Sequence, residues 1–283
     1  MRFSVACLFV VIAVAPVLAC AAPPLTAGAA VPAKMDGAVI TPHRAIYDMT
    51  LVSTKNGSNV ADVSGRMVFE WSDVCDAWAV QQRLGLHFNY AQGDTSNVTS
   101  TEVTWEAKAG KRYNFNIRRV ADGKETDNFR GKAELSASGG KVIYSNPEKK
   151  TATLPADAVF PSMHTREIIA RALAGETFFT RRVFDGTDED GSNDVSVYIG
   201  APQSLAAKVT VDDKLDSHAL LQGTAWPVHM AFFKLDSETG TPDYEMDLTI
   251  LANGVVRNLR IDYGDFSVAG TLRALEPLPA PRC

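Results

Sequence analysis

Along most of this chain, apolar and polar positions alternate with a period of two, the signature of strands with one buried face. Ala45-Ile46-Tyr47-Asp48-Met49-Thr50-Leu51-Val52 alternates roughly in and out. Met67–Trp71 and Trp78–Leu84 follow, with Cys75 in the turn between them. Val98–Ala107 comes next, and in Arg112–Arg118 the residues Tyr113, Phe115 and Ile117 share one face. Gly110, Asp122-Gly123 and Gly139-Gly140 punctuate these runs at intervals suited to a meander of antiparallel strands. The pattern resumes at Glu176–Phe184, Val195–Ile199, Ala207–Val211, Val228–Leu235, Tyr244–Leu251, Val255–Tyr263 and Phe266–Ala274. The tail Glu276–Cys283 is proline-rich and unsuited to the interior of a sheet.

One segment changes period. From Ser162 to Ala174 the apolar residues Ile168, Ile169, Ala172 and Leu173 fall at helical spacing. Ser162 or Thr165 is placed to cap the start, and Gly175 supplies the stop. The apolar stripe predicts a helix laid on the concave side of the sheet, with Arg166, Glu167 and Arg171 on the wetter side. The fold class is therefore mainly β: a long curled antiparallel sheet with one central helix.

The N-terminus reads as an export signal. Arg2 is the sole charge before Lys34, Phe3–Ala19 is almost wholly apolar, and Ala19-Cys20-Ala21 is a small-x-small cleavage site. The expected organisation is a signal peptide over 1–21, a flexible Ala/Pro/Gly-rich leader over 22–40, and a single β domain over 41–283 ending in the proline-rich tail. The destination is the periplasm. A lipidated Cys20 is the alternative, making the protein a membrane-anchored lipoprotein.

Composition then narrows the function. The net charge of −5 offers no basic excess to neutralise phosphates, so nucleic acid is not an expected partner. Of four cysteines, Cys7 and Cys20 leave with the signal, and Cys75 and the terminal Cys283 remain. Two thiols in an exported chain point to one disulfide fastening the tail to the body, although the count alone does not prove the pairing. The acidic run Asp185–Asp194 is the best metal candidate, but it puts Gly186 where an EF-hand needs its first ligand and reads as a solvated hairpin loop. His43, His87, His164, His218 and His229 are scattered without metal-ligand spacing, and there is no G-x-S-x-G. Ser162 beside His164 reads as a capping residue. No catalytic, metal or cofactor residues are assigned. Trp71, Trp78, Trp105 and Trp226 are core-forming on a curved sheet, or else line its trough and meet an acyl chain.

Read in order, several segments resemble the EipB-like family of cell-envelope integrity proteins of alphaproteobacteria. They are His43–Asp48, Gly65–Trp71 through Cys75, Trp78–Arg83, Thr104–Glu106, Tyr113–Arg118, Phe160–Thr165 and Val183–Gly186. The resemblance implies a β-spiral with a helix in the middle, akin to the sheets of periplasmic lipoprotein carriers. It also implies a disulfide mapping onto Cys75 and Cys283, and envelope maintenance without an established reaction. Three functions remain open: a non-enzymatic factor binding an envelope component or protein partner, a carrier of lipid or lipoprotein in a concave groove, and an envelope hydrolase.

Overall fold

The computed structural model describes residues 37–187, 192–205, 219–235 and 240–283. The signal segment, most of the leader, the strand expected at Ala207–Val211 and His218 lie outside them. Eight strands come first: β1 (His43–Thr54), β2 (Val60–Asp73), β3 (Ala77–Tyr90), β4 (Thr95–Ala107), β5 (Arg112–Ala121), β6 (Lys124–Ser136), β7 (Gly139–Asn146) and β8 (Lys150–Leu154). The helix α1 (Pro161–Leu173) follows. Then come β9 (Phe178–Phe184), β10 (Ser192–Ile199), β11 (Gln203–Leu205), a 3-10 turn at Ala219–Leu221, β12 (Gly223–Lys234), β13 (Tyr244–Leu251), β14 (Val256–Asp262) and β15 (Phe266–Pro277).

All strands belong to one antiparallel, barrel-like sheet in the order β8-β7-β6-β5-β4-β3-β2-β1-β15-β14-β13-β12-β10-β9, with β11 paired to β12. Two meanders are thus sewn together where the first strand meets the last. The sheet curls until β8 and β9 approach closure, and the chain crosses that gap through α1. β9 pairs with β10 along its whole length, and Val159 forms a parallel bridge to Val183 on its other edge. A covered or broken edge is less open to foreign strands.

The inner face explains the alternation. Met49, Gly65 and Leu86 stand opposite one another across β1, β2 and β3. A Cβ on Gly65 would lie 2.0 Å from the Gly85 carbonyl, so only glycine fits there. Further along the same face, Tyr113, Phe115, Tyr144, Phe160 and Phe184 form a packed aromatic cluster, Tyr113 and Phe160 stacked at 5.0 Å. Burying each such ring contributes about 2–3 kcal/mol. Tyr47 is buried on β1 and donates its hydroxyl to the Val256 carbonyl at 2.5 Å, tying the two meanders.

Three boundaries differ from the sequence reading. Ala38 and Ile40 are buried in the core, so the end of the leader is part of the body. β6, β7 and β8 add three strands that the apolar pattern hardly marks: β6 buries only Phe129 and Ala133. β15 runs on to Pro277, which pairs with His43 at the very end of β1, and Leu278 donates to the Pro42 carbonyl. Beyond that point the chain ends at Cys283, joined to Cys75 with the Cα atoms 5.8 Å apart. Asp73 secures this turn from below, accepting the Cys75 amide at 3.0 Å and the Lys108 ammonium at 2.6 Å.

Candidate functional site

The inner side is occupied by α1, and its chemistry is structural. The helix does not use Ser162 or Thr165 as its N-cap. Its N-cap is Phe160 in extended conformation with no side-chain cap, and Thr165 bonds back to the Pro161 carbonyl. Two orphan amides, those of Ser162 and Met163, instead point at the Glu106 carboxylate on β4, at 2.7 and 2.8 Å. A negative group at a helix N-terminus is favourable. Burial nevertheless dominates, and desolvation pushes Glu106 up to about 7 against the pull of those amides and of the Ser162 hydroxyl. At the other end, Gly175 adopts φ 76°. Gly175 and Glu176 donate to the carbonyls of Ala172 and Arg171, a Schellman closure.

The charged face of α1 is also inside, which corrects the expected orientation. Glu167 and Arg171 are buried, whereas Leu173 is 48% exposed. Glu167 accepts from Arg171 at 2.8–3.0 Å and from Arg181 of β9, while Arg171 also binds Glu176 and lies 4.5 Å over the Phe179 ring. Burial alone would raise the Glu167 carboxyl, but Arg181 and Arg171 outweigh it and hold it below the usual range. About one turn before Glu167, His164 is buried edge-on to Phe179 with its Nε2 unpartnered. Desolvation drives its imidazole down to about 4.

These two groups give opposed pH dependence. Glu106 rises from 4.5 to about 7 on folding, so its share of stability is present below pH 4.5 and is lost as pH rises through 7. His164 falls from 6.5 to about 4, so its share is present above pH 6.5 and is lost as pH falls through 4. Each is worth about 3 kcal/mol, and between pH 4.5 and 6.5 they nearly cancel. Half-buried Glu102 adds to the first sense and buried His43 to the second. The expected outcome in denaturant titrations is that Glu106→Gln becomes more stable as pH rises from 4.5 to 6.5, whereas His164→Leu becomes less stable. Parallel profiles for the two variants would contradict these assignments.

The sequence candidates fall apart in space. Trp71, Trp78 and Trp226 are buried in the core beneath α1, and Trp71 and Trp78 meet edge-to-face at 6.2 Å. Trp105 is half-buried under Arg112. The Ser162 amide and hydroxyl both go to Glu106, so Ser162 and His164 make no nucleophile pair. Within the acidic run, Asp185 accepts from its own neighbour Thr187 and Asp194 accepts from Arg182; residues 188–191 lie outside the described set. His43 bonds the Thr41 carbonyl and His87 bonds Asn97.

A recess of about 450 Å³ lies instead on the outer face, across β10 and β12–β15. Register builds it from two rows. Tyr198, His229, Asp247, Arg260 and Ala269 stand opposite one another in turn along the first. Pro227, Thr249, Asn258 and Thr271 form the second. Small residues make the depth: Ala269 ends the first row, and a Cβ on Gly200 would meet the Pro227 ring at 2.6 Å. His229 bonds Asp247 at 2.8 Å and approaches Glu245 at 3.5 Å. The Arg260 Nε is buried without a partner. Apart from His229, weighed only as a possible metal ligand, none of these positions was singled out by the sequence pattern, because they sit on five strands and only register brings them together.

A nearly closed antiparallel sheet, a helix locked to its inner side and a disulfide-tied terminus define a β-barrel-like body. The chain belongs to the EipB-like family, whose model matches residues 34–279. It is 30% identical over 240 residues to the cell envelope integrity protein EipB of Brucella abortus, covering 84% of both chains. It also superposes on the crystal structure of a β-barrel-like protein of a domain of unknown function from Brucella abortus. That match has TM-score 0.79 and 28% identity, over 85% of this chain and 99% of the other. The named relative supports a role in cell-envelope integrity, and together with the disulfide it supports a place in the envelope or periplasm.

Proposed function

We propose that this protein serves envelope integrity from the periplasm by binding rather than by catalysis, and that it meets its envelope partner at the outer recess. The observation that carries this reading is the division of labour between the two faces. Inside, α1 and three tryptophans pack into the core, and the Glu106 and Glu167 carboxylates hold the helix in place. Outside, an open recess of about 450 Å³ presents side chains that the fold does not consume. Lipid carriage is less well supported, since the concave side where an acyl chain would lie carries the helix. A hydrolase would need a nucleophile beside a base, and Ser162 and His164 do not form one.

The test is complementation of a strain lacking the gene. Thr271→Trp fills the recess from an exposed strand face and is expected to leave the melting temperature within 2–3 °C, roughly the shift of a surface substitution. It should fail to restore resistance to envelope stress, while Val103→Trp, on the exposed face of β4, should restore it. Full rescue by folded Thr271→Trp would overturn the recess as the working surface.

A further inference from the structure

The recess has a chemistry that selects among ligand classes. Outer faces of sheets are normally polar, yet Tyr198 is 56% exposed and stands directly opposite Phe178, itself 60% exposed, on neighbouring β9. Two adjacent aromatic faces thus open to solvent at one end of the recess. Along its length the side chains of Thr249, Asn258 and Thr271 make no hydrogen bond among the described residues. Hydroxyl and amide groups both donate and accept, whereas Asp247 accepts and Arg260 donates. From β10 to β15 the recess crosses four strand spacings, about 19 Å at about 4.8 Å each.

Three ligand classes fit poorly. An extended peptide binds a sheet by adding to an edge, but the backbone groups of β10 and β12–β15 are already paired on both sides. An acyl chain needs continuous apolar lining, and the two rows are interrupted by His229, Asp247, Asn258 and Arg260. A strongly anionic group would find Arg260 between Asp247, opposite it on β13, and Asp262, at 3.5 Å. A sugar chain satisfies every feature. Its hydroxyls donate and accept, its C–H face stacks on an exposed aromatic ring, and its length suits a trough too long for one monosaccharide.

Building on the outer recess as the working surface, we propose that it binds an uncharged polysaccharide strand of the envelope, laid across the strands. Tyr198 is the stacking platform, extended by Phe178. Thr249, Asn258 and Thr271 bond the hydroxyls on one side, and the Asp247–His229 pair and Arg260 bond them on the other. The buried Arg260 Nε then gains the partner it lacks in the free protein.

The probes are peptidoglycan sacculi and glycan strands freed of their peptides by amidase and then amidated at the exposed lactyl carboxylates to remove their charge, used with the mature protein in co-sedimentation and titration calorimetry. Wild type is expected to bind both. Tyr198→Ala, at an exposed position, should fold normally and weaken both at least tenfold; Asn258→Ala should weaken both more mildly; and Val103→Ala should match wild type. Absence of wild-type binding to the stripped strands overturns the proposal, as does equal binding by Tyr198→Ala. Binding to intact sacculi alone also overturns it, by assigning recognition to the stem peptides. A small aliphatic diazirine photo-crosslinker at position 271, which leaves the recess open, separates the two levels of the claim. Capture of a protein there refutes the sugar and keeps the recess, and no capture of any kind refutes both.

Discussion

Glu167→Ala is expected to lower the stability of the folded protein by about 3–5 kcal/mol, the cost of stranding charge in a low-dielectric interior. Glu167 is the anion shared by Arg171 and Arg181, and all three side chains are largely withdrawn from water. Removing it leaves Arg181 without its carboxylate and Arg171 with Glu176 alone. Arg171 lies over the Phe179 ring, and both cations are largely buried, where water cannot easily replace the lost partner. The loss should therefore appear as a lower denaturant midpoint, and it should be nearly the same at low and high salt, since buried pairs are weakly screened. Replacing the set together, as Glu167→Leu, Arg171→Met and Arg181→Met, should recover most of that stability, because apolar packing replaces buried ion pairs at little cost. A Glu167→Ala midpoint within error of wild type would show that the network is solvated.

Loss of the disulfide is the second large effect. Cys75 and Cys283 close a loop of 208 residues, nearly the whole body. The entropy model assigns such a loop about 5 kcal/mol, and measured losses for native bridges run about 2–5 kcal/mol. The tail between Pro277 and Cys283 is mostly exposed, so it contributes little folded-state contact of its own. The bridge therefore acts chiefly by restricting the unfolded chain. Cys75→Ser and deletion of Ala280–Cys283 should each cost the same amount, and combining them should add nothing further. Unchanged unfolding of Cys75→Ser would make the bridge energetically idle; a doubled loss in the combined variant would mean that the tail packs in its own right.

How much of this was legible in the sequence depended on whether the signal was local. β1, β5 and β13 could be read because each puts several apolar residues on one face. β6 to β8 sit near the free end of the sheet, where one or two residues per strand reach the core, and their alternation sinks beneath Lys, Glu and Ser. The helix could be read from Ile168, Ile169 and Ala172 and from Gly175. Its rotation could not, because Glu167 and Arg171 are buried only by virtue of Arg181, which arrives from β9. The same holds for its start: the cap is Glu106, 56 residues upstream, and no local motif announces a carboxylate delivered by another strand. The paired cysteines were legible from the count, once Cys7 and Cys20 were assigned to the expected export signal. The recess was not, since threonine, asparagine and arginine on the outer face of a strand are ordinary until register aligns five strands.

The account rests most heavily on the outer face being the surface that meets the envelope. A small aliphatic diazirine amino acid, which leaves the recess open, placed at position 271 and separately at 103 on the exposed face of β4, tests this in living cells. The account predicts one dominant crosslinked envelope species from position 271, lost when Tyr198→Ala is introduced, and none from position 103. Equal capture at both positions, or capture at 271 that survives Tyr198→Ala, would contradict it.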